Sequence, residues 1–258
     1  MPKASTDEPS GGTVLVTGAA GGIGSATVRV LREASYRVVG LDREEAPGDA
    51  DIEWIRHDLL DTDWTEALLG SSPLLAGLRH VVAVAGGPVG DELSQLDPAE
   101  VPVALFRASV ELNLVAQYAI VRAGAARAEA ETPTGDRSIV LFSSINALRG
   151  YGMPGYSSAK AGLLGLAVAL ALPLGRRGVR INAITPGSVL TDRFREAYPP
   201  GEPLATRLVE ASATGTATSP EDVARAVLAL LELRQMTGQH LVIDGGQLAV
   251  PFDRYPLG

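Results

Sequence analysis

Seven short apolar runs, separated by stretches of helical periodicity, constrain this chain more than any other feature. They are Thr13–Thr17, Arg37–Asp42, Ile52–His57, His80–Ala85, Ser138–Ser143, Arg180–Thr185 and His240–Asp244. Most are apolar on successive residues rather than alternate ones, so both faces of each strand need covering. Helical patterns lie at 22–34, 102–129, 154–172 and 220–233, the last with Ser219 ahead of Pro220 and Asp222 three residues beyond Ser219. This order predicts an α/β fold: one Rossmann-type domain, a doubly wound parallel sheet of about seven strands with helices on both faces. The domain is expected to span 12–258 behind a loose polar tail at 1–11. The segment 190–218 interrupts the alternation and carries Pro199-Pro200-Gly201. At the ligand edge of such a sheet it is expected to form a substrate lid; the plain alternative is an irregular surface excursion.

Composition removes several classes of function. The net charge is −8, whereas a nucleic-acid binder normally carries a basic face. No cysteine is present, and the three histidines (His57, His80, His240) are far apart in sequence, so no metal site is expected. No run of 18 uncharged apolar residues occurs, and the N-terminus lacks the apolar core of a signal peptide. A cytoplasmic protein without membrane or nucleic-acid partners is the default expectation. Of 22 basic residues only Lys3 and Lys160 are lysines, and Lys3 lies in the tail.

Thr17-Gly18-Ala19-Ala20-Gly21-Gly22-Ile23-Gly24 follows the first apolar run and opens the first helix. Glycines let a backbone turn tightly and approach a pyrophosphate, and the helix start offers unpaired N–H groups and a positive dipole end. The position between strand and helix separates this run from an ordinary glycine-rich turn. Asp42 ends the second strand 18 residues beyond Gly24, where a carboxylate can accept bonds from ribose hydroxyls and repel a 2′-phosphate. Arg43 beside it points the other way, because a guanidinium can receive a phosphate.

Tyr156 and Lys160 stand four residues apart near the start of a helix, so they share one face. A free phenol ionises near pH 10, and a fixed cation beside it is expected to lower that value, which suits a general acid/base. The alternative, a surface helix with a snorkelling lysine, sits poorly with a chain that uses Arg at 20 of its 22 basic positions. Ser144, 12 residues before Tyr156, follows the fifth strand. Its hydroxyl either bonds a developing alkoxide or simply caps the strand end. Asn113 is polar on an otherwise apolar helix. It either holds a water that relays protons to Lys160 or is a satisfied core residue.

Together these motifs, with Arg180-Ile-Asn182-Ala-Ile-Thr-Pro186-Gly187, resemble the short-chain dehydrogenase/reductase family in order and spacing over about Thr13–Gly246. The resemblance implies a tetrad of Asn113, Ser144, Tyr156 and Lys160, with Lys160 also holding the nicotinamide ribose. It implies cofactor contacts from Gly18, Gly22, Ile23, Gly24, Asp42 and Arg43 at one end. Asp58-Leu59 would lie at the adenine, and Ala85-Gly86 at the ribose. Pro186, Gly187, the Val189 backbone and Thr191 would lie at the carboxamide. Relatives that bind NADP place a basic residue where Gly21 stands here, so Gly21 and Asp42 favour NAD over NADP. The four-residue Tyr–Lys spacing is unlike the enoyl-reductase branch, where it is wider. The fourth strand reads Ala83-Val84-Ala85-Gly86 in place of the family's Asn-Asn-Ala-Gly, which puts its usual bracing in doubt. The connection from Asp42 to Ile52 is too short to suggest a helix.

The expected activity is hydride transfer between nicotinamide and a secondary alcohol or ketone of modest size, in a homotetramer or homodimer. The rivals are a non-catalytic NAD-binding regulator, or an isomerase, epimerase or dehydratase with transient redox. A serine hydrolase is disfavoured, since no Gly-x-Ser-x-Gly occurs. The pocket walls are expected at 87–96, 145–155 and 190–218, and the tail 251–258 is expected to dock on a neighbour or over the pocket.

Overall fold

A computed structural model describes residues 11–47, 52–93, 97–132, 134–150, 152–197 and 211–250. Residues 1–10 and 251–258, and residues 198–210 of the expected lid, lie outside the described residues; so do 94–96 and 151 of the expected pocket walls.

The strands are β1 (Thr13–Thr17), β2 (Arg37–Asp42), β3 (Glu53–Arg56), β4 (Leu78–Ala83), β5 (Arg137–Phe142), β6 (Val179–Pro186) and β7 (His240–Ile243). They form one sheet of order 3-2-1-4-5-6-7, parallel throughout. The helices are α1 (Gly22–Glu33), α2 (Thr62–Ser71), α3 (Val103–Val110), α4 (Ala116–Glu131), α5 (Pro154–Gly175), α6 (Asp192–Ala197) and α7 (Pro220–Glu232). The expected fold class is the one observed.

Successive strand residues point to opposite faces, and the apolar runs feed two cores accordingly. Val14, Val16, Val140 and Phe142 join Leu31 of α1 and Val223, Val227 and Leu230 of α7. Leu15, Ile139 and Leu141 join Leu69 of α2, Ile120 of α4 and Leu163 of α5. Each such fully buried side chain contributes roughly 1.5–3 kcal/mol relative to exposure. Because every central strand is covered on both sides, its carboxyl end is the part left for function.

Three elements differ from expectation. The helix α2 is unmarked by the sequence reading; its core contribution is small, with only Thr65 and Leu69 buried. Asp61 caps it, accepting from Trp64 N at 3.0 Å. The single long helix expected at 102–129 is α3 and α4 joined by a π-helical turn at Glu111–Val115. There Asn113 donates to Ser109 O (3.0 Å) and Gln117 to Leu112 O (3.4 Å), so side chains enter the helical ladder. The helix α5 continues three residues past Leu172 despite Pro173, because the missing N–H lies near its end. Its mean hydropathy of 1.6 and its length would suffice to cross a membrane. In this fold it packs on β6 and α3 and carries the buried Lys160.

The excursion after β6 is closed at its base. Val189 bridges Thr218, and Leu190 N donates to Thr218 O at 3.1 Å. Its return arm is tied to the end of β7, where Ser212 Oγ donates to Gly245 O at 2.8 Å.

Candidate active site

The candidate site residues, except Gly22–Gly24 on α1, Asn113 on the π-turn and Tyr156 and Lys160 on α5, lie at or just beyond the carboxyl ends of strands. This is the edge where open α/β sheets bind ligands. The glycine loop leaves β1 through Gly18, whose φ of 67° is left-handed. A Cβ on Gly18 would lie 2.8 Å from Ala85 Cα, and one on Gly24 would lie 1.9 Å from Gly18 O. Neither position tolerates a side chain. A Cβ on Gly22 would lie 2.9 Å from Thr191 Cγ2, so the loop after β6 closes over the start of α1.

The α1 start is open to an anion. Gly21 occupies the N-cap, no side chain caps the helix, and its first turn holds no acidic residue. Its leading N–H groups therefore remain available to a ligand. Asp42 holds the same loop: its carboxylate accepts from Ala20 N at 3.0 Å and from Glu44 N at 3.1 Å. Arg43 is exposed and pairs with Glu44 at 3.3 Å. Asp58 accepts from Leu60 N at 3.0 Å in a turn after β3, whereas the Leu59 side chain is buried in the core. A pyrophosphate and a ribose fit this bare, glycine-lined cradle.

Across the sheet, β4 ends at Ala83, two residues before the expected Ala85, so Ala85, Gly86 and Gly87 form an exit loop. Thr17 Oγ1 accepts from Ala85 N (3.2 Å), and Gln117 Nε2 donates to Ala85 O (3.0 Å). Thr17 of the glycine loop and Gln117, which the sequence did not single out, thus brace the strand end that lacks the family's asparagines. Asn113 grips the next peptide: Oδ1 accepts from Gly87 N (2.8 Å) and Nδ2 donates to Gly87 O (2.9 Å). With Nδ2 also bonded to Ser109 O, both amide hydrogens are committed to the main chain, and only Oδ1 keeps a spare lone pair. The Asn113 side chain is thus a clamp on the exit loop, in line with the reading of a satisfied core residue.

Lys160 is buried, and its Nζ donates to Phe142 O at 2.7 Å. A Cβ on Gly86 would stand 2.7 Å from Asn113 Oδ1 and 3.3 Å from Lys160 Nζ, so Asn113, Lys160 and the exit loop converge. Nζ lies 5.5 Å from the centroid of the Tyr156 ring. Ser144 follows β5 and caps the turn Ile145–Ala147 by accepting from Asn146 N (3.2 Å), and its hydroxyl is a neighbour that favours the Tyr156 phenolate. The capping reading of Ser144 is thus observed. Its neighbour Ser143 instead donates to Lys160 O (2.8 Å), pinning α5 to the sheet.

The charges at the site are set chiefly by burial. Desolvation lowers the Lys160 pKa to about 7. Desolvation also raises the Tyr156 pKa; the Ser144 bond and the Arg193 charge oppose that rise, and the Glu92 carboxylate adds to it. This reverses the expectation that the lysine would leave the phenol more acidic. The loss of solvation at this partly buried phenol outweighs what Ser144 and Arg193 return.

Beyond β6, Gly187 N donates to Ile243 O (2.9 Å) and Ser188 N to Gln247 Oε1 (2.8 Å). Thr191 Oγ1 accepts from Phe194 N (3.1 Å) at the start of α6. Arg193, unremarked in the sequence, lays its guanidinium against Gly87 and donates to Pro88 O at 2.6 Å. It bridges the two sides of the site, a contact between residues too far apart in sequence for any spacing rule.

Known proteins are similar to this chain over most of its length. A family model described as enoyl-(acyl carrier protein) reductase matches residues 18–247. The cis-4-hydroxycyclohexanecarboxylate dehydrogenase of Sinomonas cyclohexanicum is 32% identical over 248 residues, covering 92% of this chain and 96% of that protein. The L-rhamnose 1-dehydrogenase (NAD(P)(+)) of Azotobacter vinelandii is 33% identical over 251 residues, covering 91% and 95%. A crystal structure of a short-chain dehydrogenase/reductase family oxidoreductase from Burkholderia thailandensis superposes with a TM-score of 0.78 at 34% identity, covering 92% of each chain. Similarity of this extent, running from the phosphate loop to the end of the sheet, makes the chain a member of the short-chain dehydrogenase/reductase family, an NAD(P)-dependent oxidoreductase acting on CH–OH groups.

Proposed function

We propose that this enzyme interconverts a secondary alcohol and a ketone, with NAD as its cofactor and Tyr156 as general acid/base. One observation carries the reading: the buried Nζ of Lys160 stands 5.5 Å from the centroid of the Tyr156 ring, with the Ser144 hydroxyl as a neighbour that favours the phenolate. The bound dinucleotide supplies the nicotinamide that takes up or delivers hydride. Ser144 orients the substrate oxygen through its hydroxyl. Tyr156 gives that oxygen a proton in reduction and removes it in oxidation. Lys160 places its amino group behind the phenol and at the exit loop, where the nicotinamide ribose would bind. Asn113 keeps Gly86 and Gly87 in place for that ribose.

The preference for NAD rests on Asp42. Its carboxylate ends β2 beside the glycine loop, where a 2′-phosphate would meet like charge, and Arg43 is occupied with Glu44. The residues of the expected pocket walls at 87–96 and 145–155 are mixed apolar and small, which is read as suiting a small, largely apolar carbonyl compound. The segment 190–218 is read as its lid, with Arg193 fastening α6 to Pro88. Val168 and Leu172 of α5 and Tyr118 of α4 are exposed apolar residues on long helices, and they support a homodimer or homotetramer built on that face.

Tyr156→Phe tests the core of this reading. Turnover is expected to fall by about 10²–10⁴-fold while NADH binding, followed by its fluorescence, is retained. Full turnover in that variant would end it.

A further inference from the structure

Glu92 lies in the 3-10 turn Gly90–Leu93, beyond the exit loop of β4, and no role above uses it as more than a neighbour. Its side chain is buried, with a relative exposure of 2%. Three observations converge on it. First, Glu92 Oε1 accepts from Tyr156 N at 2.8 Å, across 64 residues of sequence. Second, α5 lacks a cap of its own. Met153 at the N-cap is left-handed (φ 50°) and offers no side-chain bond, and Pro154 follows it. The Tyr156 N–H is thus one of the donors that a helix start leaves unpaired, and Glu92 supplies the acceptor. Third, Gly155 admits the carboxylate. A Cβ there would lie 2.9 Å from Glu92 Oε1, 2.9 Å from Ser109 Cβ and 3.0 Å from Phe106 Cα.

The remaining polar atoms of this nook are unsatisfied. Glu92 Oε2 and Ser109 Oγ are both buried without a hydrogen-bond partner among the described residues. A carboxylate held for helix capping alone is normally solvated on its outer side, as surface caps are. This one is enclosed, one peptide from the phenol's own main chain.

We propose that Glu92 is a positioning residue, which caps α5 from across the site, fixes the main chain of Tyr156 and places a negative charge beside it. The groups facing the Tyr156 phenol then divide into two sets. Ser144 and Arg193 favour the phenolate, whereas burial and Glu92 favour the protonated phenol, with Lys160 behind the ring. Glu92 thereby biases the pair toward the acid form, the one that donates to a carbonyl in reduction. This rests on the reading of Tyr156 as the acid/base, which Tyr156→Phe tests separately.

Two variants separate cap from charge. Glu92→Gln keeps an acceptor for Tyr156 N and removes the charge; Glu92→Leu removes both. The direct readout is the ultraviolet titration of Tyr156, taken in each background as the difference from the same protein carrying Tyr156→Phe. Glu92→Gln should move that titration to lower pH by about one unit, with an unchanged thermal midpoint. The pH profile of kcat for alcohol oxidation should move in the same direction. Glu92→Leu should lower kcat about tenfold at every pH, with KM little altered. A Tyr156 titration in Glu92→Gln that superimposes on wild type would overturn the proposal. So would a Glu92→Leu enzyme with wild-type kcat. The titration needs no turnover, so it stands even if Tyr156 proves not to be the acid/base.

Discussion

Two buried cations occupy opposite edges of one sheet, and the protein treats them in opposite ways. Arg180, at the start of β6, uses its whole guanidinium. Nε and Nη2 form a paired contact with Asp136 at 2.9 Å each. Nη1 and Nη2 also donate to the carbonyls of Leu230, Leu231, Leu233 and Met236 between 2.8 and 3.3 Å. It closes the carboxyl end of α7, where carbonyls are unpaired and the helix dipole welcomes positive charge. Lys160, behind the carboxyl edge, makes one hydrogen bond from Nζ among the described residues. A saturated buried charge serves architecture, whereas an unsaturated one stays ready for a partner that arrives from outside. The choice of residue follows. A planar fork suits several fixed carbonyls, and a compact ammonium suits a tight place with ligands still to come.

The comparison breaks most readily at Lys160. Lys160→Met should reduce turnover by about 10²-fold or more. Lys160→Arg should not restore it, because the bulkier head meets Gly86 and Phe142. Steady-state rates with a saturating alcohol decide this; a fully active Lys160→Met enzyme would place Lys160 in the architectural class with Arg180.

The converse experiment is Arg180→Met. It strands Asp136 and four carbonyls, so stability to urea should fall by about 3–5 kcal/mol, while the kcat of the remaining folded enzyme stays near wild type. A loss of kcat without loss of stability would contradict the division.

The third outcome concerns the sign of a pH effect. Burial lowers the Lys160 pKa to about 7, against about 10.4 in an unfolded chain. Below pH 7 both states carry the charge, and the folded state bears the full cost of burying it. Between pH 7 and 10.4 the unfolded chain holds a proton that the folded one has lost, so wild-type stability rises with pH. Without its cofactor, Lys160→Met should therefore be the more stable protein at pH 6, and the gap should close as pH rises through that window. A gap independent of pH, by denaturant titration, would show that Lys160 is better solvated than its burial implies.

The smallest effect is expected at Asp42. Asp42→Ser should narrow the preference for NAD over NADP by about tenfold in kcat/KM, since each tenfold step is worth only about 1.4 kcal/mol. An unchanged ratio would move the source of discrimination elsewhere.

Legibility from sequence follows how local each feature is. The strand runs were legible because a doubly covered strand must be apolar on consecutive residues. The glycine loop was legible because clashes such as that at Gly24 admit no side chain. The meeting of Ser144, Tyr156 and Lys160 was legible through motif and helix spacing. The π-turn was not, since one extra residue barely disturbs an apolar pattern. Nor was the direction of the Tyr156 shift, because burial belongs to the assembled site. Glu92, Arg193 and Gln117 were missed for the same reason: each acts on a residue far away in the chain.

That π-turn sets a phase. One α-helical residue corresponds to about 100° of rotation, so the residue added at Glu111–Val115 turns the faces of α3 and α4 out of step. This lets α3 address α5 while α4 addresses α2 and β4, with Asn113 at the step itself. Deleting a single residue there would leave a more regular helix by local standards. It would also swing one half of the rod away from its partners, so this short stretch works as a reading frame in which length matters more than identity.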